Sequence, residues 1–251
     1  MIIDTTFETV KHGILKLSQY TYTKKLAPYS NTPLRIMVID TETASLAGDV
    51  YDIGYTIANK KGEIFVTRNW LVQQVFTNGK VMKGAFFASK MFSEYADMLH
   101  NGTIRLTYWL EIVAIMRQDF ETFKVNVLAA YNLPFDLKVI LQTHGQFGDG
   151  KRILPPCKKL DLYRFTCMAK LNSIAYKKLA EDRNWKTKAG NYLTNAEVAY
   201  KYCTGDYTFK EKHTALDDCI IETLIMRYCF SAKGVIPYDD LRTQQWRIVN
   251  P

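Results

Sequence analysis

Residues 34–43 read LRIMVIDTET, and the fold prediction starts from them. Positions 34–39 form a short apolar run rich in branched residues, which predicts a buried central strand. Two acids, Asp40 and Glu42, follow this run. Acids at the carboxyl edge of a central strand are well placed for an active site, and the period-two alternation of a strand puts both on one side.

The pair Asp40 and Glu42 points to a cation, because two like charges held together are unfavourable unless something neutralises them. A hard divalent ion bound through oxygen atoms is their natural partner. The alternative is a surface strand end with two solvated acids. An Asp-x-Glu triplet is common, so this pattern alone is a weak signal.

The rest of the chain predicts an alternation of strands and helices. Apolar and branched runs, the first two of them joined by a hairpin turn, predict further strands at 50–58, 63–70, 125–131 and 160–164. Residues 80–122 have helical spacing, and further helices are predicted at 134–144 and 214–230, of which the last is apolar almost all round and therefore buried. A hairpin followed by alternating strands and helices predicts an α/β domain with a mixed sheet.

The second candidate group is Asp136, which comes just past the apolar run at 125–131, within the stretch NLPFD at 132–136. It would lie in the first turn of the following helix. The helix macrodipole favours an anion there, so capping of the helix is the alternative role for Asp136.

The third candidate group is the stretch HTALDD at 213–218. Thr214 and Asp217 fit a capping box only loosely, because that motif prefers Glu or Gln. We therefore assign Asp217 to the helix start and Asp218 to a ligand position, with His213 in the loop before the helix. A lone histidine is more often an ordinary surface or core residue. Together, four carboxylates and one histidine are what two-metal phosphoryl chemistry needs.

These motifs resemble the DEDD superfamily of 3′–5′ exonucleases, in the histidine-using DEDDh branch. That family includes the proofreading subunit of bacterial DNA polymerase III, ribonuclease T and oligoribonuclease. The resemblance rests on Asp-x-Glu at 40–42, Asn-x-x-Phe-Asp at 132–136 and His-x-Ala-x-x-Asp at 213–218. The context of the third motif is also similar to phage-type exonucleases. The resemblance implies a ribonuclease-H-like fold, with a five-stranded mixed sheet flanked by helices.

The resemblance also implies roles for single residues. Two Mg²⁺ or Mn²⁺ ions would be held by Asp40, Glu42, Asp136 and Asp218. His213 would act as the general base in hydrolysis that releases 5′-nucleoside monophosphates from a 3′ end. Contacts to the substrate are expected from the region of Thr41 and Thr43, and from Asn132 of the second motif.

The net charge of the 251-residue chain is +8, and residues 151–212 account for it, with 14 Lys and Arg against 6 Asp and Glu. Basic groups can follow a phosphate backbone, and the interleaved aromatic rings can stack on bases. This segment is a candidate surface for the upstream strand, with contacts from Lys177, Lys178, Lys186 and Lys188. The alternative is a solvated lysine-rich face whose aromatic rings belong to the core.

The leading interpretation is a metal-dependent 3′–5′ exonuclease acting on a nucleic acid with a free, single-stranded 3′ end. DNA is slightly favoured as the substrate, and a polymerase or replication protein is a candidate partner. One alternative is an exoribonuclease that trims RNA. The other is an inactive exonuclease fold that binds nucleic acid or a polymerase.

We expect an N-terminal extension at 1–33, an exonuclease domain at 34–230 and a C-terminal tail at 231–251. The five cysteines are odd in number and form no Cys-x-x-Cys, which predicts free thiols in the cytoplasm. The N-terminal stretch MIIDTTFETVKHG lacks the pattern of a secretory signal, and no apolar run is long enough to span a membrane. We therefore expect no membrane association.

Overall fold

The computed structural model describes residues 33–250, apart from the side chains of residues 86–90. The predicted N-terminal extension lies outside the described residues, except for Pro33 at its end. Six strands form one sheet: β1 (Ile36–Thr43), β2 (Val50–Ala58), β3 (Ile64–Val72), β4 (Leu106–Thr107), β5 (Val127–Ala130) and β6 (Lys158–Asp161).

Helices lie in the connections between the strands and follow the last strand. They are α1 (Gln73–Phe76), α2 (Gly79–Met82), α3 (Phe86–His100), α4 (Trp109–Thr122), α5 (Leu133–Phe147), α6 (Leu162–Thr166), α7 (Ile174–Asp182), α8 (Ala196–Thr204) and α9 (Ala215–Phe230). A π-helical turn (Cys167–Leu171) follows α6, and a short 3₁₀ helix (Gln245–Ile248) lies near the C-terminus. Of the helices within residues 33–250, none is long and apolar enough to cross a bilayer.

The sheet is mixed, with the strand order β4-β3-β2-β1-β5-β6. Strand β2 runs antiparallel to β1 and β3, whereas β5 is parallel to both β1 and β6. The predicted fold class, a mixed α/β sheet flanked by helices, is therefore confirmed. The strand count is six instead of five because Leu106–Thr107, inside the stretch predicted to be helical, pairs with the end of β3. Two residues are too few to give a periodic signal in the sequence.

Two of the strand ends that differ from the prediction bear on the candidate site. Strand β1 does not end at Ile39 but runs to Thr43, because the ladder with β2 continues that far. Asp40 and Glu42 therefore lie within the strand. Strand β6 stops at Asp161 and not at 164, because the Asp161 side chain accepts a hydrogen bond from the backbone N–H of Tyr163 (3.1 Å) and so caps α6.

Both faces of the sheet are covered, and β1 alternates between the two cores. Met37 and Ile39 belong to the core that contains α4 and α5. Ile36 and Val38 belong to the opposite core, which contains much of α6 to α9. All four side chains are essentially inaccessible to solvent, which matches the buried central strand predicted from the apolar run.

Helix α9 lies directly on β2, and Gly54 is where the two backbones come closest. A Cβ atom at Gly54 would lie 2.7 Å from the backbone nitrogen of Leu216 and 2.8 Å from the carbonyl carbon of Ala215. Further along the same contact, the buried hydroxyls of Thr56 and Thr223 are hydrogen bonded at 2.6 Å. Only glycine leaves room for this approach, so Gly54 fixes how closely the start of α9 lies over the sheet.

We predict that Gly54→Ala destabilises the protein by about 1–3 kcal/mol, because the added methyl group meets backbone atoms that cannot rotate away. Thermal or urea unfolding measures the effect. Gly145→Ala is the matched control, since a Cβ at Gly145, within α5, meets nothing within 4 Å. The control should be neutral or more stable by up to about 1 kcal/mol. Equal stability of the two variants would contradict the close approach.

Candidate active site

The end of β1 presents its side chains to both layers of helices. Asp40 and Glu42 continue the alternation of Ile36 and Val38, so they face the layer that contains α9. Thr41 continues the opposite alternation and is buried. Its hydroxyl donates a hydrogen bond of 2.8 Å to Oδ1 of Asp136. Strand β1 therefore supplies two acids directly and orients a third.

Asp136 occupies the first turn of α5, as the sequence predicted, and is 2% exposed. Asn132, the N-cap of α5, has left-handed backbone geometry (φ 80°) and its side chain makes no capping bond. Asparagine tolerates this conformation better than most residues. The turn brings the start of α5 back toward β1, so that Asp136 meets Thr41 instead of solvent.

Asp218 and His213 lie at the start of α9. Thr214 is the N-cap, and its hydroxyl oxygen accepts from the backbone N–H of Asp217 (3.3 Å) while donating to the Asp217 carboxylate (2.7 Å). Asp217 therefore belongs to the helix start, and Asp218 is buried toward the sheet. Ligand atoms of Glu42, His213 and Asp218 all lie within 4.8 Å of one another.

Sequence reasoning missed Asp52, a fully buried acid in β2 that is paired with Glu42 across the ladder. Its Oδ2 atom accepts hydrogen bonds from the hydroxyl of Tyr95 (2.8 Å) and from the backbone N–H of Ala215 (3.1 Å). Asp52 thus binds the first residue of α9, where the positive end of the helix dipole favours an anion. An acid inside an otherwise apolar strand was the signal that could have identified it.

Glu222 was also missed. It is 2% exposed, and its Oε2 atom accepts a hydrogen bond from the backbone N–H of Tyr131 at the end of β5 (3.0 Å). It follows Asp218 by four residues on α9, so the two share a face of the helix, and this spacing was available from the sequence. Glu211 is a third addition. It precedes His213 in the loop, and its carboxylate is one of the neighbours whose repulsion raises the pKa of Asp218.

Burial and mutual repulsion raise the pKa values of the clustered acids. Burial is the larger cause, and neighbouring carboxylates add to it. The pKa of Glu42 rises to about 8, with Asp52, Glu211 and Asp136 nearby. The pKa of Asp136 rises to about 7, although its bond from Thr41 opposes the shift. The pKa of Asp218 rises to about 9.

The same two causes raise the pKa of Asp40 well above its usual range, with Asp136, Glu222, Asp218 and Glu42 as the repelling neighbours. The pKa of Glu222 is raised in the same way, by burial and then by Asp136 and Asp218. Asp136, Asp218 and Glu42 thus all contribute to the repulsion at Asp40. The structure brings Asp40, Glu42, Asp136 and Asp218 into one cluster.

This cluster fits a divalent cation in its donor chemistry. Its ligands are carboxylate oxygens, which Mg²⁺ and Mn²⁺ prefer. Oδ1 of Asp218 is buried and has no hydrogen-bond partner among the described residues. A buried oxygen without a partner is costly, and a bound cation would satisfy it. The cation would also remove the repulsion that raises the pKa values.

The geometry of His213 is strained. Its backbone has a φ of 61°, a region that residues other than glycine rarely adopt. The ring is 41% exposed, and its Nδ1 atom lies 3.8 Å from Oε2 of Glu211. Such strain persists only where the surroundings impose it, and it is frequent at functional sites. The left-handed turn directs the imidazole toward Glu42 and Asp218 while Thr214 starts the helix.

The other predicted site residues lie at the edge of the cluster or away from it. Thr43 is half-buried and its hydroxyl donates to the carbonyl of Ser45 (2.8 Å). Lys177 and Lys178 lie on α7, and Lys186 and Lys188 follow in the next loop. Lys186 is paired with Glu181 at 2.7 Å, whereas Lys178 and Lys188 are exposed. Among the described contacts, none joins these four lysines to the cluster of Asp40, Glu42, Asp136 and Asp218.

We predict that Asp218→Asn stabilises the metal-free protein, and more so as the pH rises. Folding raises the pKa of Asp218, so the protonated acid stabilises the fold at pH values below its unfolded pKa, near 3.8. This stabilisation is lost as the pH rises toward the folded pKa, about 9. Asparagine cannot ionise. In EDTA the variant should therefore be the more stable protein at both pH values, and its advantage should be larger near pH 8 than near pH 5 by on the order of 1–3 kcal/mol. Thermal unfolding at both values measures this, and a variant that is less stable at pH 8 would contradict the repulsion.

Comparison with known proteins gives weak likenesses. No protein-family model matches the chain, and no curated protein matches it either. Among solved structures, exonuclease X in complex with 5′ overhanging duplex DNA is similar, with a TM-score of 0.39 and 14% identity, over 85% of this chain and 99% of that one.

Two exonuclease I structures are also similar. A moderately thermophilic exonuclease I from Methylocaldum szegediense has a TM-score of 0.49 and 13% identity over 78% of this chain. The zinc-bound complex of E. coli exonuclease I with single-stranded DNA has a TM-score of 0.48 and 10% identity over 78% of this chain. The chain spans 40% of the length of each.

Proposed function

We propose that the chain is a metal-dependent 3′–5′ exonuclease of the DEDDh type that acts in the cytoplasm on single-stranded 3′ ends, with DNA favoured over RNA. It would release 5′-nucleoside monophosphates one at a time. A polymerase or other replication protein is the proposed partner. The observation that supports this proposal most strongly is the convergence of four acids from β1, α5 and α9, with His213 beside two of them.

The acids would hold two Mg²⁺ or Mn²⁺ ions, which would supply activation of water and neutralise charge that develops on the phosphate. Asp40 and Glu42 offer oxygens from the sheet, and Asp218 offers its unpartnered Oδ1 from the helix. Thr41 orients Asp136 from the other side. Asp52 holds the start of α9, and therefore Asp218, in position.

His213 is the proposed general base. Its half-exposed ring stands at the entrance of the cluster, where it can take a proton from an attacking water molecule. The water oxygen forms a bond to phosphorus, the bond from phosphorus to the 3′ oxygen breaks, and the leaving oxygen takes up a proton from solvent. His213 then returns its proton to solvent for the next cycle.

We expect that purified protein degrades end-labelled single-stranded DNA from its 3′ end with Mg²⁺, and not with EDTA. Asp218→Asn should lower the rate by at least about 10³-fold, because it removes a charged ligand without changing the shape of the helix. Asp217→Asn is the matched control and should retain most activity, since the Asp217 carboxylate accepts a hydrogen bond from the N-cap Thr214. Single-stranded DNA, duplex DNA and RNA are compared side by side.

Activity that survives in EDTA or in Asp218→Asn would contradict the metal assignment. Faster degradation of RNA than of DNA would instead favour the exoribonuclease. Binding of nucleic acid without any degradation would favour the inactive fold.

The left-handed backbone of His213 yields a prediction that separates catalysis from stability. His213→Gly and His213→Ala should both lower the hydrolysis rate by about 10²–10⁴-fold. Only glycine relieves the backbone strain, so His213→Gly should be more stable than His213→Ala by on the order of 1 kcal/mol. Thermal unfolding of both variants, measured beside hydrolysis, gives the comparison. If alanine is as stable as glycine, the strain is not present.

The basic segment is proposed to hold the upstream strand, because residues 151–212 account for the whole net charge of +8. Replacing Lys177, Lys178, Lys186 and Lys188 by Gln should weaken DNA binding. It should also lower the salt slope by up to about 0.7 for each phosphate contact that is lost. Equilibrium binding at several salt concentrations measures both effects. A salt slope equal to that of the wild type would show that these lysines do not contact the strand.

A further inference from the structure

A pocket of about 510 Å³ lies beyond the carboxyl ends of β5 and β6. This volume is within the range of about 300–1,000 Å³ that is typical of small-ligand sites. The described residues that line it include four aromatic residues and four asparagines, and none of them is charged. It therefore differs in kind from the acidic cluster.

The pocket and the acidic cluster share the junction between β5 and α5. Tyr131 lines the pocket, and its backbone N–H donates to Glu222 of the cluster (3.0 Å). Asn132 also lines it, and its backbone N–H donates to Oδ1 of Asp161 (3.1 Å). Asp136 follows one helical turn later. The lining of the pocket is therefore hydrogen bonded to Glu222, an acid of the cluster.

Two rings in the pocket wall are held rigidly. Tyr131 and Tyr163 are stacked, with centroids 5.1 Å apart and planes 17° from parallel. Both hydroxyls bind Thr194, at 2.6 Å in each case. Trp246, half-buried, is a further aromatic residue of the lining. Such surfaces suit flat aromatic ligands, because base–aromatic stacking needs a fixed ring face.

The asparagines divide into two groups. Asn250 and Asn195 have structural bonds, the first to the backbone of Tyr192 and the second as the N-cap of α8. The side chains of Asn132 and Asn191 make no hydrogen bond among those described, although both line the pocket. An amide offers a donor and an acceptor together, which is the pattern that the edge of a nucleobase presents.

Two basic side chains lie at the rim of the pocket. The ammonium of Lys186 lies 5.2 Å from the ring centroid of Tyr192, and the guanidinium of Arg247 lies 5.4 Å from that of Trp246. Glu181 is nearby and binds both Lys186 and the hydroxyl of Tyr192. A phosphate group attached to a bound base would meet positive charge at this rim, with Glu181 the one acid in these contacts.

We propose that this pocket binds a nucleobase of the strand whose 3′ end enters the acidic cluster. The inference rests on the proposed exonuclease function and adds to it a second point of attachment. A base held here would keep the strand in place while the terminal nucleotide is removed. It would also require that the strand be unpaired at this position, because a paired base cannot enter a pocket.

The test is a scan of abasic sites. Fluorescein-labelled DNA octamers, each with one abasic site at a different distance from the 3′ end, are titrated with the protein in Ca²⁺ in place of Mg²⁺. We expect one position to lose about 10-fold in affinity. The intact octamer should bind the variants Asn191→Ala and Trp246→Ala as weakly as that abasic octamer binds the wild type. In these variants the abasic site should cause no further loss of affinity.

Asn172→Ala is the matched control, since Asn172 is an exposed asparagine outside the pocket and should keep the abasic penalty. Thermal unfolding verifies that each variant is folded. Asn191→Ala removes only a half-buried amide, so it serves if Trp246→Ala does not fold. The proposal is overturned if no abasic position loses affinity, or if the penalty is the same in the wild type and in Asn191→Ala.

Hydrolysis of end-labelled DNA in Mg²⁺, measured in parallel, separates this proposal from the function on which it rests. If the DNA is degraded but no abasic position loses affinity, the proposal for the pocket is overturned and the proposed exonuclease activity stands. A pocket-dependent penalty without degradation overturns the exonuclease and leaves the pocket as a nucleobase site.

Discussion

The close contact between the first turn of α9 and β2 at Gly54 is the constraint on which the rest of the site depends. Gly54 pairs with Asp40, and Asp52, two residues away, pairs with Glu42. Because Gly54 has no side chain, the helix start lies directly above the two acids of β1. Asp52 then binds the N–H of Ala215 and fixes the end of the helix. Asp218 and His213 are in place as a result.

The cluster opposes folding in the absence of a cation. Burial and repulsion raise the pKa of Asp40, Glu42, Asp136 and Asp218, so the folded protein holds protons that the unfolded chain would release at neutral pH. Neutral threonines and tyrosines position the acids without neutralising them. Any ion that binds only the folded protein recovers part of this cost as stability. Function and stability are therefore opposed in the apo protein and aligned when a cation is bound.

Much of this arrangement was accessible from the sequence, and the remainder depends on tertiary contacts. The apolar run of β1 predicted the central strand, the acid after the run at 125–131 predicted Asp136, and the acids at the start of the last helix predicted Asp218, because these signals are local. Asp52 was visible as an acid inside an apolar strand, but its role could not be assigned because it depends on Ala215, far away in the chain. Glu222 was visible as a residue four positions after Asp218, but its burial depends on Tyr131. The two-residue strand β4 exists only through its partner β3.

The most direct test of the account is crystallographic. A crystal of the protein soaked in Mn²⁺ should show anomalous difference peaks in contact with the carboxylates of Asp40, Glu42, Asp136 and Asp218. His213 should lie beside the peaks, and it should not ligate the ion that Asp40 binds. Peaks at this cluster would establish it as the cation site on which the proposed chemistry depends. The absence of anomalous density there, or Mn²⁺ bound only elsewhere, would contradict the account.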